Sequence, residues 1–411
     1  AVSRALGQHP TVAIAATAAS RARADVTDAR SATLPRIALD ASATQNQLPG
    51  LIYPLHGLPT PISTANIPVF GKTQFQGSAS LNWTFFDFGG RSSRTRASRA
   101  LVDAADASLN TAQQRLIAQV ASAYLRVLTA RLTLAAQDQQ LAALSAEFSR
   151  TQAMLSQGKV ARVEVLRADA AQARARAARI ATAAQLEVAR QDLSSLTAVP
   201  SDSLIPVALI DTAVPDRAAA IGRASQTSTE VQEATRRADA ARWGASAARA
   251  TRFPELRTSA ILVDHGAPSY PFKAEWTALV GISYPLYTGG QRAAAIDRAA
   301  DDERVAADQL RLAQLNVTQN VDHALASVIQ AHAQTDALDR AALQSDTVAQ
   351  IELTSLGVGS GTQIDYLDAL AQALQARASL IEARHSEIAA RIELARSLGE
   401  LSPDWIARNL R

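Results

Sequence analysis

Between residues 70 and 90 the chain alternates with a period of two: Phe75, Gly77, Ala79, Leu81, Trp83 and Phe85 interleave with Gln74, Gln76, Ser78, Ser80, Asn82 and Thr84. That spacing predicts a strand with one apolar and one polar face. The pattern returns in Phe272, Ala274, Trp276, Ala278, Val280, Ile282, Tyr284 and Leu286, with Lys273, Glu275 and Thr277 opposite. Ile37, Leu39, Ala41 and Ala43 predict a partner for the first strand, and Ile261 with Val263 a partner for the second, so two β-hairpins are expected. Elsewhere the period is helical. Gly and Pro are absent from 91–157, 159–199, 291–356 and 362–398, intervals rich in the good helix formers Ala, Leu, Gln, Arg and Glu. The first predicts a helix of roughly 100 Å, about three times the hydrocarbon thickness of a bilayer. Within it Val120, Val127, Leu134, Leu141, Phe148 and Leu155 recur as heptads, a coiled-coil seam.

These segments occur twice. Gly89-Gly90 precedes Gly289-Gly290 by 200 residues, Gly158 precedes Gly359 by 201, and Ser195-Leu196 precedes Ser397-Leu398 by 202. Upstream the offset is 219, with Ala22-Arg23 against Ala241-Arg242 and Leu34-Pro35 against Phe253-Pro254. The first copy therefore carries about 19 extra residues, assigned to a loop over 48–72 whose Pro49, Pro54, Pro59, Pro61 and Pro68 suit neither helix nor central strand. The expected order is a leading helix (1–34), a β-hairpin (35–90) and a long helical hairpin (91–199), then a proline-bearing linker (200–222). A second leading helix (223–252), hairpin (253–290) and long helical hairpin (291–399) follow, with a C-terminal tail (400–411).

Composition narrows the reading. Among 411 residues, 41 Lys and Arg against 38 Asp and Glu leave a net charge of +3, which excludes an electrostatic nucleic-acid binder. The absence of Cys excludes disulfides, thiolate metal sites and a cysteine nucleophile. The two hairpin segments hold 13 of the 18 aromatics in less than a quarter of the chain. An outer-membrane barrel, with an apolar outer face and aromatic girdles, accounts for that segregation; a soluble half-buried sheet accounts only for the alternation. Four strands cannot close a barrel, so a homo-oligomer is expected. No run of 18 apolar residues predicts a transmembrane helix. The opening Ala1-Val2-Ser3-Arg4 reads as a mature or trimmed chain, from which an acylated Cys could have been removed. Gly158-Lys159 lacks the upstream Gly of a phosphate-binding loop and is followed by Val160, and the glycine-rich stretch at 357–361 follows a helix instead of a strand. His9, His56, His265, His323, His332 and His385 show no ligand spacing, so no cofactor, metal or catalytic residue is expected.

The two-copy order, the junctions Phe86-Asp87-Phe88-Gly89-Gly90-Arg91 and Tyr287-Thr288-Gly289-Gly290-Gln291-Arg292, and the turn sequences at 158–166 and 358–367 together resemble the TolC-like outer-membrane efflux proteins (outer membrane factors) over essentially the whole chain. The resemblance implies a mostly α fold with a membrane β-barrel. Three protomers would form an α/β-barrel duct, each giving four strands and long coiled-coil helices in two structural repeats. It further implies a passive exit duct in the outer membrane of a Gram-negative bacterium, extending into the periplasm. Such ducts dock through a periplasmic adaptor (membrane fusion protein) onto an inner-membrane pump, for efflux or type I secretion. From patterning alone, a helical scaffold or a periplasmic adaptor is the alternative.

Candidate sites follow. Phe75, Leu81, Trp83, Phe85, Trp276, Val280 and Ile282 are expected to face outer-membrane lipid, with Gln74, Gln76, Ser78 and Thr277 toward water. Gly158, Lys159 and Val160, and Val358, Gly359 and Ser360, are expected at the adaptor-contact tip; the second set resembles the family's Val-Gly-Thr motif with Ser in place of Thr. Asp365 and Asp368 lie three apart on one helix face and match the family's aspartate pair at the periplasmic constriction. Thr362 three residues before Asp365 also makes a capping box, which leaves helix capping as their alternative role. The gate-locking Arg and Tyr of a well-known member correspond to Gly361 and Leu356, so the closed state is expected to be held differently. Arg91, Arg94, Arg96 and Arg99 put positive charge at a helix start, which calls either for lipid phosphates or for nearby acidic partners.

Overall fold

The computed structural model describes residues 1–53, 69–198, 204–210 and 213–410. Its elements run α1 (Val2–Gln8), α2 (Pro10–Ser31), β1 (Arg36–Leu51), β2 (Phe70–Phe86), α3 (Gly90–Ser156), α4 (Arg162–Thr197), α5 (Arg217–Thr227), α6 (Thr229–Ala250), β3 (Glu255–Ala267), β4 (Tyr270–Ser283), α7 (Gln291–Val358), α8 (Gln363–Ser397) and α9 (Pro403–Asn409). The chain is mostly helical with one small antiparallel sheet. It divides into two compact units, the first comprising 1–18, 105–234 and 310–411 and the second 19–104 and 235–309.

Each leading helix is two helices. The first breaks at His9, whose ψ of 130° is extended, ahead of Pro10. The second breaks at Ser228, with ψ of 122°. Positions 9 and 228 are separated by 219, the offset of the upstream duplication, so the break was duplicated along with the helix. Helix α5 opens at Arg217, ahead of the expected 223: Asp216 caps it by accepting from the Ala219 N–H at 3.1 Å. The C-terminal segment, expected as a tail, contains α9, capped by the Ser402 hydroxyl with Pro403 in the first turn.

In the first unit the two copies build matching cores. Val12, Leu116, Val120, Ala123, Val127 and Leu193 are buried in one, and Val231, Val317, Val321, Ala324, Val328 and Leu394 in the other. The first pair differs by 219 and the remaining five by 201, so each of these six positions recurs at its duplicate. Of the heptad positions read from sequence, Val120 and Val127 are fully buried, whereas Leu134, Leu141, Phe148 and Leu155 are half-buried.

In the second unit the strands form one sheet in the order β1-β2-β3-β4, antiparallel throughout, with β2 paired to β3 across the two hairpins. Leu81 lies between Ile37 and Ala260, and Ala79 between Leu39 and Leu262, which in turn pairs with Trp276; these side chains share one face. Ile261 and Val263, expected to supply the apolar positions of that partner strand, lie on the other face, opposite Ser80 and Ser78. The pairing register gives the Leu81 and Trp276 face of β3 to Leu256, Thr258, Ala260, Leu262 and Asp264 instead, because a shift of one residue exchanges the faces. Strand β1 also runs through Leu48 and Pro49 to Leu51, and β2 begins at Phe70, inside the span expected as loop. Pro49 is tolerated because β1 is an outer strand of this sheet and a register shift between Gln45 and Gly50 relieves the missing donor. Pro54, Pro59, Pro61 and Pro68 lie outside the described residues.

Since Val120 and Val321 occupy duplicated, fully buried positions, Val120→Ala and Val321→Ala should each destabilise the protein by about 2 kcal/mol. Denaturant midpoints measure this; a full loss at one site and none at the other would refute the equivalence of the two cores.

Candidate channel constriction and docking turns

The long helices end in the same way in both copies. After α3, Gly158 adopts φ of 75°, and the N–H of Lys159 reaches back to the Met154 carbonyl at 2.9 Å. After α7, Gly359 adopts φ of 81°, and the Ser360 N–H bonds the Ser355 carbonyl at 3.0 Å. A left-handed residue followed by this back-bond terminates a helix, and glycine adopts it without strain. Gly158, Lys159, Val358, Gly359 and Ser360 are exposed and Val160 is half-buried. Gly361 has a different constraint. A Cβ there would lie 3.0 Å from Ser355 Cβ and 3.1 Å from the Leu356 nitrogen, so this turn leaves little room for the Arg of the well-known member.

The duplicated turns differ in charge. Residues 151–180 contain six Lys or Arg and two Asp or Glu, whereas the matching 352–381 contain one and three. Arg167 corresponds to Asp368 at the 201 offset. Asp365 and Asp368 are both exposed, while α8 buries Gln363, Tyr366, Ala369 and Ala373. Thr362 caps α8: its hydroxyl accepts from the Asp365 N–H at 3.3 Å and donates to the Asp365 carboxylate at 2.6 Å. Capping thus occupies Asp365 and leaves Asp368 outside the cap.

A buried polar cluster that the sequence reading missed ties α3 to the start of α8. Glu147 accepts from Arg150 at 2.8 and 2.9 Å and from the Gln363 amide at 3.2 Å. The same amide donates to the Thr151 hydroxyl at 3.0 Å, so both its hydrogens are used. Glu147, Thr151 and Gln363 are each less than 10% exposed. The hydrogen bond to Glu147 raises the Arg150 pKa, and burial, assisted by the Glu147 charge, raises that of Tyr366. The signal was present as two polar residues four apart, Glu147 and Thr151, on the helix face of the buried Leu144; the heptad through Phe148 and Leu155 concealed it.

In the sheet, Trp83, Phe85, Trp276, Val280 and Ile282 are exposed, the last three by more than 70%, and Phe75 and Leu81 are half-buried. Aromatic contacts gather where the strands meet the helices: Phe88 lies 4.8 Å from both Phe86 and Phe253. At the junction the Asp87 carboxylate accepts from the Arg91 N–H at 2.7 Å and its Nε at 3.1 Å, while Arg91 Nη1 donates to the Ala32 carbonyl at 2.8 Å. Arg96 lies over the Trp243 ring at 4.7 Å. Two of the four arginines near this helix start therefore have partners within the chain, and Arg94 and Arg99 are exposed.

Farther along α8, His385 is buried and its Nδ1 lies 2.6 Å from the Thr129 hydroxyl. That hydroxyl donates to the Leu125 carbonyl, which makes Nδ1–H the donor of the pair. Burial lowers the His385 pKa from 6.5. Among the described residues no helix is long and apolar enough to cross a membrane, and no group of three ligating side chains could hold a metal.

Two copies of leading helix, β-hairpin and long helical hairpin define the fold of outer-membrane channel protomers. The chain superposes on a membrane protein from Pseudomonas aeruginosa with a TM-score of 0.82 and 21% identity, covering 97% of this chain and 92% of that one. The CmeC outer membrane channel of Campylobacter jejuni gives 0.82 at 15% identity, over 97% and 84%. The outer membrane efflux protein BepC of Brucella suis biovar 1 (strain 1330) is 24% identical over 335 residues, 79% of this chain and 72% of that protein. The chain belongs to the outer membrane efflux protein family, whose model matches residues 1–199 and 220–400. It is an outer-membrane exit duct of efflux systems in Gram-negative bacteria.

Loss of the cap in Thr362→Ala should cost about 1 kcal/mol of local stability, read as faster hydrogen exchange at the Asp365 amide; unchanged exchange would dismiss the cap. The depressed His385 pKa has a defined sign. The unfolded chain takes up the proton first, so stability present above 6.5 is lost as pH falls toward the folded value. Between roughly pH 7.5 and 5.5 the melting temperature should fall, and His385→Gln should flatten that fall; an equal slope in both proteins would clear His385 of the effect.

Proposed function

We propose that three copies of this chain form a passive duct whose twelve strands close a barrel in the outer membrane and whose long helices enclose a periplasmic tunnel. The observation that carries the reading is a four-stranded sheet whose β1 and β4 have no further strand partner among the described residues and one face of which exposes Trp276, Val280 and Ile282. Unpaired edges and an apolar outer face are both resolved by closure in lipid, and four strands are too few to close alone. Phe75, Leu81, Trp83 and Phe85 belong to the same lipid-facing surface. The turns around Gly158, Lys159 and Val160 and around Val358, Gly359 and Ser360 form the end that meets a periplasmic adaptor, itself joined to an inner-membrane pump. Asp365 and Asp368 from three chains place six carboxylates around the axis, a favourable site for cations. The duct performs no chemistry; cargo is selected by the adaptor and pump, in drug efflux or in type I secretion.

In detergent the protein should run as a trimer and form channels in planar bilayers. Asp365→Asn combined with Asp368→Asn should weaken cation selectivity and block by multivalent cations added on the periplasmic side. Unaltered selectivity and block in a folded trimer would remove the aspartates from the constriction, and stable monomers in detergent-free buffer would remove the duct.

A further inference from the structure

The cluster joining α3 to α8 has a duplicated counterpart that one chain cannot complete. Shifted by 201, Glu147 and Thr151 of α3 correspond to Val348 and Glu352 of α7, and Gln363 at the start of α8 corresponds to Arg162 at the start of α4. The contact pairs the long helix of the first copy with the return helix of the second. Its equivalent would pair the long helix of the second copy with the return helix of the first. In a ring of alternating copies, that second kind of contact falls between neighbouring chains. Both side chains are available for it: Arg162 is exposed and Glu352 half-buried. The residue types also agree, since an amide donor facing a hydroxyl in one copy is replaced by a guanidinium facing a carboxylate in the other.

We propose that Arg162 pairs with Glu352 of the partner subunit and closes the seam between chains at the level where Glu147, Thr151 and Gln363 close the seam within each chain. The proposal rests on the trimeric duct. It makes the six seams of two kinds. The seam within the chain is buried and uses every donor of Gln363, so parting it would leave a buried carboxylate without its amide. The seam between chains rests on an ion pair at an aqueous surface, which salt screens. Opening of the periplasmic end should therefore become easier as ionic strength rises.

The chain contains no Cys, so paired cysteines report the contact without background. The Arg162→Cys, Glu352→Cys variant, treated with a short bis-maleimide, should give covalent dimers and trimers on a denaturing gel, whereas either single variant should give none. Only monomers, from a preparation whose native mass is that of a trimer, would overturn the pairing; a native mass of one chain would instead overturn the duct itself. In planar bilayers Glu352→Arg should raise the open probability about tenfold, equivalent to ~1.4 kcal/mol, and Arg162→Glu with Glu352→Arg should restore it. If the reversed pair behaves like the single reversal in trimers that melt normally, the two residues do not meet.

Discussion

The helices of this molecule approach one another through alanine. Ala5, Ala123, Ala168 and Ala224 are all but completely buried, as are Val120, Val127, Val321 and Val328, with larger side chains such as Leu116 and Ile117 among them. Small residues let helix axes come within about 8 Å. They also remove little apolar surface from water, and at ~25 cal/mol per Å² each contact contributes modestly. A seam this thin has to be long, and α3 and α7 run for 67 and 68 residues. Length substitutes for bulk.

In such a seam, polar substitutions have large consequences. Leu186 is part of the first core, and its duplicated position in the second is Glu387, buried beside His332 at 2.9 Å and Arg391 at 3.4 Å. Arg391 also donates to the Ala213 carbonyl at 3.1 Å, so the charged position fastens the segment that leads into α5. The first copy reaches the same end by another route: the Tyr124 hydroxyl bonds both the N–H and the carbonyl of Ile205, at 2.9 and 2.8 Å. Apolar area exchanged for directional bonds anchors backbone that has no helix or sheet partner of its own.

The sequence made the repeat, the four long helices and the alternating strands legible, because each rests on a period or on glycine and proline punctuation. It did not show the breaks at His9 and Ser228, which occur inside otherwise continuous helical patterns, although Pro10 marks one of them. The apolar face of β3 was misassigned for a physical reason. Ile261 and Val263 are the most β-prone residues of that strand, but the register with β2 puts Thr258 and Asp264 on the face of Leu81 and Trp83. The buried cluster around Glu147 was concealed by the heptad through Phe148, since a polar residue at a seam looks exposed until its partner, 216 residues away, is known.

Duplication supplies two equal frameworks, and the charges at their ends make them unequal. The cores matched at Val120 and Val321 keep α3 and α7 in equivalent settings, yet the turn after α3 is basic where the turn after α7 is acidic. Charges at an exposed turn contribute little to folding, so nothing in the core restrains their divergence. In the proposed trimer, basic and acidic turns would alternate and attract along the ring at low salt, and an approaching partner would meet two chemically distinct sites in one repeated shape. A helical hairpin from a partner would distinguish these sites by charge, because the Gly158 and Gly359 backbones turn in nearly the same way, with φ of 75° and 81°.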